Sequence, residues 1–115
     1  MSFDGKFNED KTVFVINTPE RIDAANSSEL KNLIFETVSK GFYKIVINME
    51  KTNFIDSSGL GALVSKISVC KNNGGDVRLV VLSDRVLEIL EITHLNKILK
   101  IYKTEEDAIN SFKGV

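Results

Sequence analysis

The chain of 115 residues predicts an α/β domain built on a mainly parallel β-sheet, with an antiparallel first strand. Short runs rich in β-branched and aromatic residues alternate with segments whose apolar residues recur at helical spacing. Turn and capping residues mark the changes, as at Asn17-Thr18-Pro19, Lys40-Gly41 and Asn73-Gly74-Gly75. Strands alternating with helices imply a parallel sheet with right-handed crossovers. The first two strand-like runs are separated by only Asn8-Glu9-Asp10-Lys11, too short for a crossover, so those two pair antiparallel.

Phe3 to Phe7 alternates apolar and polar and reads as a short first strand, and Thr12 to Ile16 as the second. Asn17 to Ala25 is a loop, with Pro19 stopping the strand. Asn26-Ser27-Ser28-Glu29 has capping-box spacing, with Asn26 as the cap. Leu30, Leu33, Ile34, Thr37 and Val38 then trace a helical stripe that Lys40-Gly41 ends. Lys44 to Met49 is a buried strand. A helix starts near Asp56 and runs to about Asn72, burying Leu60, Leu63, Val64 and Ile67. Val77 to Leu82 is a strand, and Ser83 or Asp84 caps a helix that turns Val86, Leu87 and Leu90 inward. Thr93 to Asn96 is a turn and Ile98 to Tyr102 the last strand. Thr104 to Asp107 is a second capping box, opening a helix that buries Ala108, Ile109 and Phe112.

Composition narrows the function. Apolar residues make up 43% and charged residues 27%, values of an ordinary globular protein of one domain over residues 1–115. A net charge of −1 argues against direct nucleic-acid binding or attraction to an anionic membrane. No apolar run approaches a membrane span, and no signal peptide opens the chain, so a cytoplasmic protein is expected. The one cysteine, Cys70, reads as a small core residue.

Function gathers at the loops after the carboxyl ends of the strands in α/β sheets. Asp23, Asp56, Ser57 and Ser58 are expected to share that end. A serine nucleophile needs an oriented base, and the lone histidine, His94, lies in a turn after a different helix. Asp23 and Asp56 alone make a weak cation site, so no metal is expected. Gly59-Leu60-Gly61 is a fragment of a dinucleotide loop, with Val64 where a third glycine belongs and no Walker lysine; no cofactor is expected. An aspartyl-phosphate receiver would need a metal-binding acidic pair after its first strand and a lysine after its last, and after Ile16 the chain reads Asn17-Thr18-Pro19. What remains is a serine modified by another protein. At a helix start either Asp56 or a serine can cap the first turn, and a phosphate on Ser57 would be favoured by the helix dipole. Gly59 and Gly61, costly inside a helix, imply a close approach by another backbone, a partner or a ligand.

The stretch Phe54-Ile55-Asp56-Ser57-Ser58-Gly59-Leu60-Gly61-Ala62-Leu63 closely resembles the phosphorylation segment of bacterial anti-sigma factor antagonists, which are STAS domains. Asp23 opening the first helix, the Gly74-Gly75 turn and the terminal strand and helix extend the likeness over nearly the whole chain. The resemblance implies a β-α superhelix with helices on one side of the sheet. It also implies a non-enzymatic regulator, a monomer when free, that binds an anti-sigma factor and frees a sigma factor. In that family the anti-sigma factor is an ATP-using serine kinase that modifies the first serine of the pair, here Ser57, and a metal-dependent serine phosphatase reverses it. Asp23, Asp56, Ser58, Gly59, Leu60 and Gly61 are then the partner-binding positions. Pro19-Glu20-Arg21-Ile22-Asp23 departs from the family's glycine-acidic-apolar-aspartate run. The alternative within the fold is a STAS subunit of a larger assembly, such as a stress-signalling scaffold or a lipid-transport complex.

Overall fold

The computed structural model describes residues 3–114. Strand β1 (Asp4–Phe7) pairs antiparallel with β2 (Phe14–Asn17), Gly5 opposite Ile16. The side chain of Asn8 closes the turn between them by accepting the N–H groups of Thr12 and Val13 at 3.0 and 2.9 Å. From β2 onward the main sheet is parallel. Strands β4 (Lys44–Met49), β6 (Asp76–Val81) and β7 (Lys100–Tyr102) follow in the order β1-β2-β4-β6-β7. The chain crosses over through α1 (Ser27–Ser39), then α2 (Ser57–Val64) with α3 (Ile67–Asn72), then α4 (Asp84–Ile92). Gly41 and Gly74, at φ +88° and +80°, end α1 and α3 as their sequence context predicts.

The central strands are buried on both faces, which is why β4 and β6 are mostly apolar without strict alternation, Asn48, Asp76 and Arg78 being buried polar exceptions. Ile45, Ile47, Val77 and Leu79 pack against Leu30 and Ile34 of α1, Leu63 of α2 and Leu90 of α4. The alternate residues Val15, Val46 and Val80 meet Ala108 and Phe112. One-sided packing therefore holds for α1 through α4, whereas the terminal helix α5 (Glu105–Asn110) lies on the opposite face. Arg78 fixes it there: buried in β6, it bonds Asp76 Oδ2 at 3.1 Å and both Ser111 oxygens at 2.8 Å, with Phe112 stacked 4.2 Å away.

Three local expectations change. Asn26 does not cap α1; its side chain instead accepts the Asp23 N–H and donates to the Arg21 carbonyl, at 2.9 and 2.8 Å. The predicted continuous helix to Asn72 breaks at Ser65-Lys66. The Ser65 N–H and hydroxyl both turn back onto the Ala62 carbonyl, and a local bond of that kind competes with the helical ladder. The Asn17–Ala25 loop is not wholly irregular. It contains a strand, β3 (Arg21–Ile22), that pairs in parallel with β5 (Phe54–Ile55) as a separate two-stranded sheet. Of the two candidates Ser83 and Asp84, Ser83 caps α4, and Thr104 caps α5 as expected, accepting the N–H groups of Val86 and Asp107 at 3.2 and 3.0 Å.

Candidate functional site

The small β3–β5 sheet is what positions the site. Two loops leave the carboxyl ends of β2 and β4 and are laced together by buried threonines. Thr18 and Thr52 share a hydrogen bond of 2.6 Å, Thr52 donates to the Pro19 carbonyl at 2.6 Å, and the Asn53 N–H reaches the Glu20 carbonyl at 2.9 Å. Their continuations pair in register, Arg21 opposite Phe54 and Ile22 opposite Ile55, and the Asp56 N–H then donates to the Ile22 carbonyl at 3.1 Å. Successive side chains of a strand point to opposite faces. Ile22 and Ile55 enter the core, 0% and 2% exposed. Arg21, Asp23, Phe54 and Asp56 form the outer rows, with the two aspartates side by side at one end.

Helix α2 starts directly after β5. Asp56 is its cap: Oδ1 accepts the Gly59 N–H at 3.1 Å and the Ser58 hydroxyl at 2.6 Å. These bonds, the Ser58 hydroxyl first and the Gly59 amide next, hold the Asp56 carboxyl below the usual carboxylate range. Ser57 is exposed at the first helical position, and among the described residues its hydroxyl makes no hydrogen bond. The capping role that either residue type could fill belongs to Asp56, so the Ser57 oxygen is left as an unoccupied, accessible handle.

The two glycines divide. A Cβ on Gly59 would stand 2.6 Å from Ile55 Cγ1 and 2.8 Å from Ile22 Cγ2, so the close approach expected there is to the protein's own core. Gly59 is buried and sets the depth at which α2 sits on the β3–β5 pair. Gly61 is exposed with nothing within 4 Å of its Cβ position, a bare stretch of helix surface. Leu60, between them, is half-buried against the main core.

Asp23 lies before α1 rather than at its first residue. Its carbonyl accepts the N–H groups of Asn26 and Ser27 at 3.1 and 2.8 Å, its carboxylate accepts the Ala25 N–H at 3.0 Å, and its Oδ2 is 3.6 Å from Arg21 Nε. Asp23, Asp56, Ser57 and Ser58 thus do share one end of the molecule. His94, in a left-handed turn (φ +63°) after α4, lies at the other end of the sheet, away from Ser57.

The sequence reading passed over Arg21, Phe54 and Arg85. The Arg21 guanidinium lies 4.1 Å from the Phe54 ring centre, and that of Arg85, in the first turn of α4, lies 6.0 Å from it. A signal was present, since Arg21-Ile22-Asp23 and Phe54-Ile55-Asp56 repeat one pattern of outer, core and outer residues.

The site is a surface and not a crevice. From β2 to β7 the strands add in one direction, so the sheet has no reversal point at which a ligand cleft opens. A depression of about 800 Å³ does lie beyond β2 and β4, lined by Thr18, Glu20, Asn48 and Glu50 among others. Its buried amide, Asn48, is already bonded to Glu50 and Glu105 at 3.0 and 2.9 Å. Among the described residues no group of three or more His, Cys, Asp or Glu could hold a metal ion, and no helix is long and apolar enough to cross a membrane.

Known proteins share this chain's sequence pattern and fold. The family model of the STAS domain matches residues 6–108. A Thermotoga neapolitana homolog of TM1081 is 32% identical over 113 residues, 97% of this chain and 98% of its own. The anti-sigma-B factor antagonist of Bacillus subtilis (strain 168) is 27% identical over 82% of this chain and 85% of its own. The solved structure of the Bacillus cell fate determinant SpoIIAA in its phosphorylated form shares the fold, with a TM-score of 0.75 at 21% identity over 97% of this chain and all of that one.

Proposed function

The chain belongs to the STAS domain family, and on that footing we propose that it is an anti-anti-sigma regulator switched by phosphorylation of Ser57. It binds an anti-sigma factor serine kinase in the cytoplasm, displaces the sigma factor, and has no catalysis of its own. The observation that carries this reading is the Ser57 hydroxyl, exposed and without a hydrogen-bond partner among the described residues, at the start of a helix whose cap is supplied by Asp56. A kinase can reach that oxygen without first breaking a structural bond. The names of the relatives and the phosphorylated state of SpoIIAA, a protein of the same fold, support the same reading.

In the free protein Asp23 and Asp56 offer carboxylates to a cationic group of the kinase, while Leu60 and Gly61 offer a flat helix surface on which it packs. Gly59 acts from beneath by seating α2, and Ser58 holds Asp56 in place. A phosphate on Ser57 adds a charge of about −1.5 to −2 beside Asp56. It fills the space over Gly61 on which the partner packs, and leaves the fold intact because the helix N-terminus favours an anion. Removal of the phosphate by a serine phosphatase restores docking.

The test is to incubate the chain with the anti-sigma-type kinase of the same organism and ATP, map the phosphate, and measure binding by calorimetry. Phosphate on Ser57 is expected. Ser57→Ala should bind and take none, and Ser57→Asp should bind weakly. Equal binding by both variants would overturn the switch.

A further inference from the structure

The outer face of the β3–β5 pair has two poles. Asp23 and Asp56 occupy one end. At the other, the Phe54 ring is half-buried beneath Arg21 at 4.1 Å and near Arg85 at 6.0 Å. Arg21 shares its charge with Asp23 across 3.6 Å, but Arg85 has no carboxylate within ion-pair distance among the described residues. Leu82, directly after β6 and three residues before Arg85, remains 50% exposed. A guanidinium held near an aromatic face keeps its hydrogen-bonding fork directed outward, and that fork matches a carboxylate.

We infer that Arg85, beside the Phe54 ring, is the positive pole of the docking face and receives a carboxylate side chain of the same protein that meets Asp23 and Asp56. Charge complementarity selects this occupant. A polyanion such as RNA would be repelled by the neighbouring carboxylates, whereas a protein surface can present one acidic and one basic group at matching separation. Two opposite poles also fix the partner's orientation, because a reversed approach sets like charges together. Phosphorylation of Ser57 changes the acidic pole alone, so the positive pole persists in the modified protein. This inference rests on the proposed function and adds to it a specificity contact outside the serine segment.

The experiment is calorimetric titration of the same purified kinase into wild-type, Arg85→Glu, Arg85→Ala and Lys100→Glu chains, each checked for folding by thermal melting. Lys100→Glu makes the same charge change on exposed β7. Arg85→Glu should weaken binding roughly tenfold or more, Arg85→Ala less, and Lys100→Glu no more than about twofold, with the Arg85 losses shrinking as salt rises. Should Arg85→Glu fail to fold, Arg85→Ala decides. Wild-type affinity in both Arg85 variants would overturn the positive pole and leave the proposed function standing. No binding by the wild type would overturn both.

Discussion

The Ser58 hydroxyl donates to Asp56 Oδ1 across 2.6 Å, and this bond makes the two adjacent serines chemically unequal. Ser58 is engaged in holding the cap, and Ser57 is free. Ser58→Ala should therefore still accept phosphate at Ser57, whereas Ser57→Ala should not be rescued by Ser58. Phosphopeptide mapping of the two variants checks the assignment, and label confined to Ser58 would reverse it.

The same bond governs titration. Asp56 has its carboxyl lowered first by the Ser58 hydroxyl and then by the Gly59 amide. A carboxyl lowered in the folded state contributes stability above its unfolded pKa and loses it as pH falls through the folded pKa. Carbon-detected NMR titration should place the Asp56 midpoint below that of an ordinary aspartate and move it upward in Ser58→Ala. An unchanged midpoint would mean that the hydroxyl is not the main cause.

Gly59 and Gly61 should respond in opposite directions to alanine. At Gly59 the new methyl meets the packed side chains of Ile55 and Ile22 at 2.6 and 2.8 Å, and crowding of this kind costs about 1–3 kcal/mol. At Gly61 nothing lies within 4 Å, so alanine should stabilise the helix by about 0.5–1 kcal/mol while weakening kinase binding. Urea denaturation separates the two.

Arg78 is the attachment of α5 to the back of the sheet. Its removal leaves Asp76, 3% exposed, without its ion-pair partner. Arg78→Ala should lose about 3–5 kcal/mol, the usual cost of stranding a buried charge. The double variant Asp76→Asn with Arg78→Met should lose less than Arg78→Ala alone. Chemical denaturation of both tests this.

Cys70 should be inert in the native protein. It is 0% exposed, and burial first, with the Asp76 charge second, pushes its thiol up to about 11. Only the thiolate reacts readily with alkylating agents. Iodoacetamide at pH 8 should leave the folded chain unlabelled and label it after denaturation; prompt labelling of the folded chain would contradict the packing.

Much of the fold was legible because its signals are local. The Ser83 and Thr104 caps, the glycine stops at 41 and 74, and the apolar runs of β4 and β6 each act within a few residues. The placement of Ser57 at a helix start was legible for the same reason. The β3–β5 pair was not, since each strand is two residues long and shows no periodicity of its own. Arg21 and Arg85 stayed hidden with it, because only that pairing sets Phe54 between them.

By itself, then, the sequence determined the strands and helices of the main sheet and its crossovers, that this sheet is mainly parallel, and that a serine pair opens a helix at its carboxyl end. Tertiary structure alone decided that Asp56 is the cap and Ser57 the free hydroxyl. It also decided that Asp23 lies beside Asp56, that the long predicted helix breaks at Ser65, and that α5 takes the opposite face. The physical reason is range. Propensity depends on neighbours within a turn. The choice between Asp56 and a serine as cap, and the break at Ser65, turn on local side-chain geometry that residue type leaves open. The rest depends on register between segments brought together from distant parts of the chain, as when Arg21 meets Phe54.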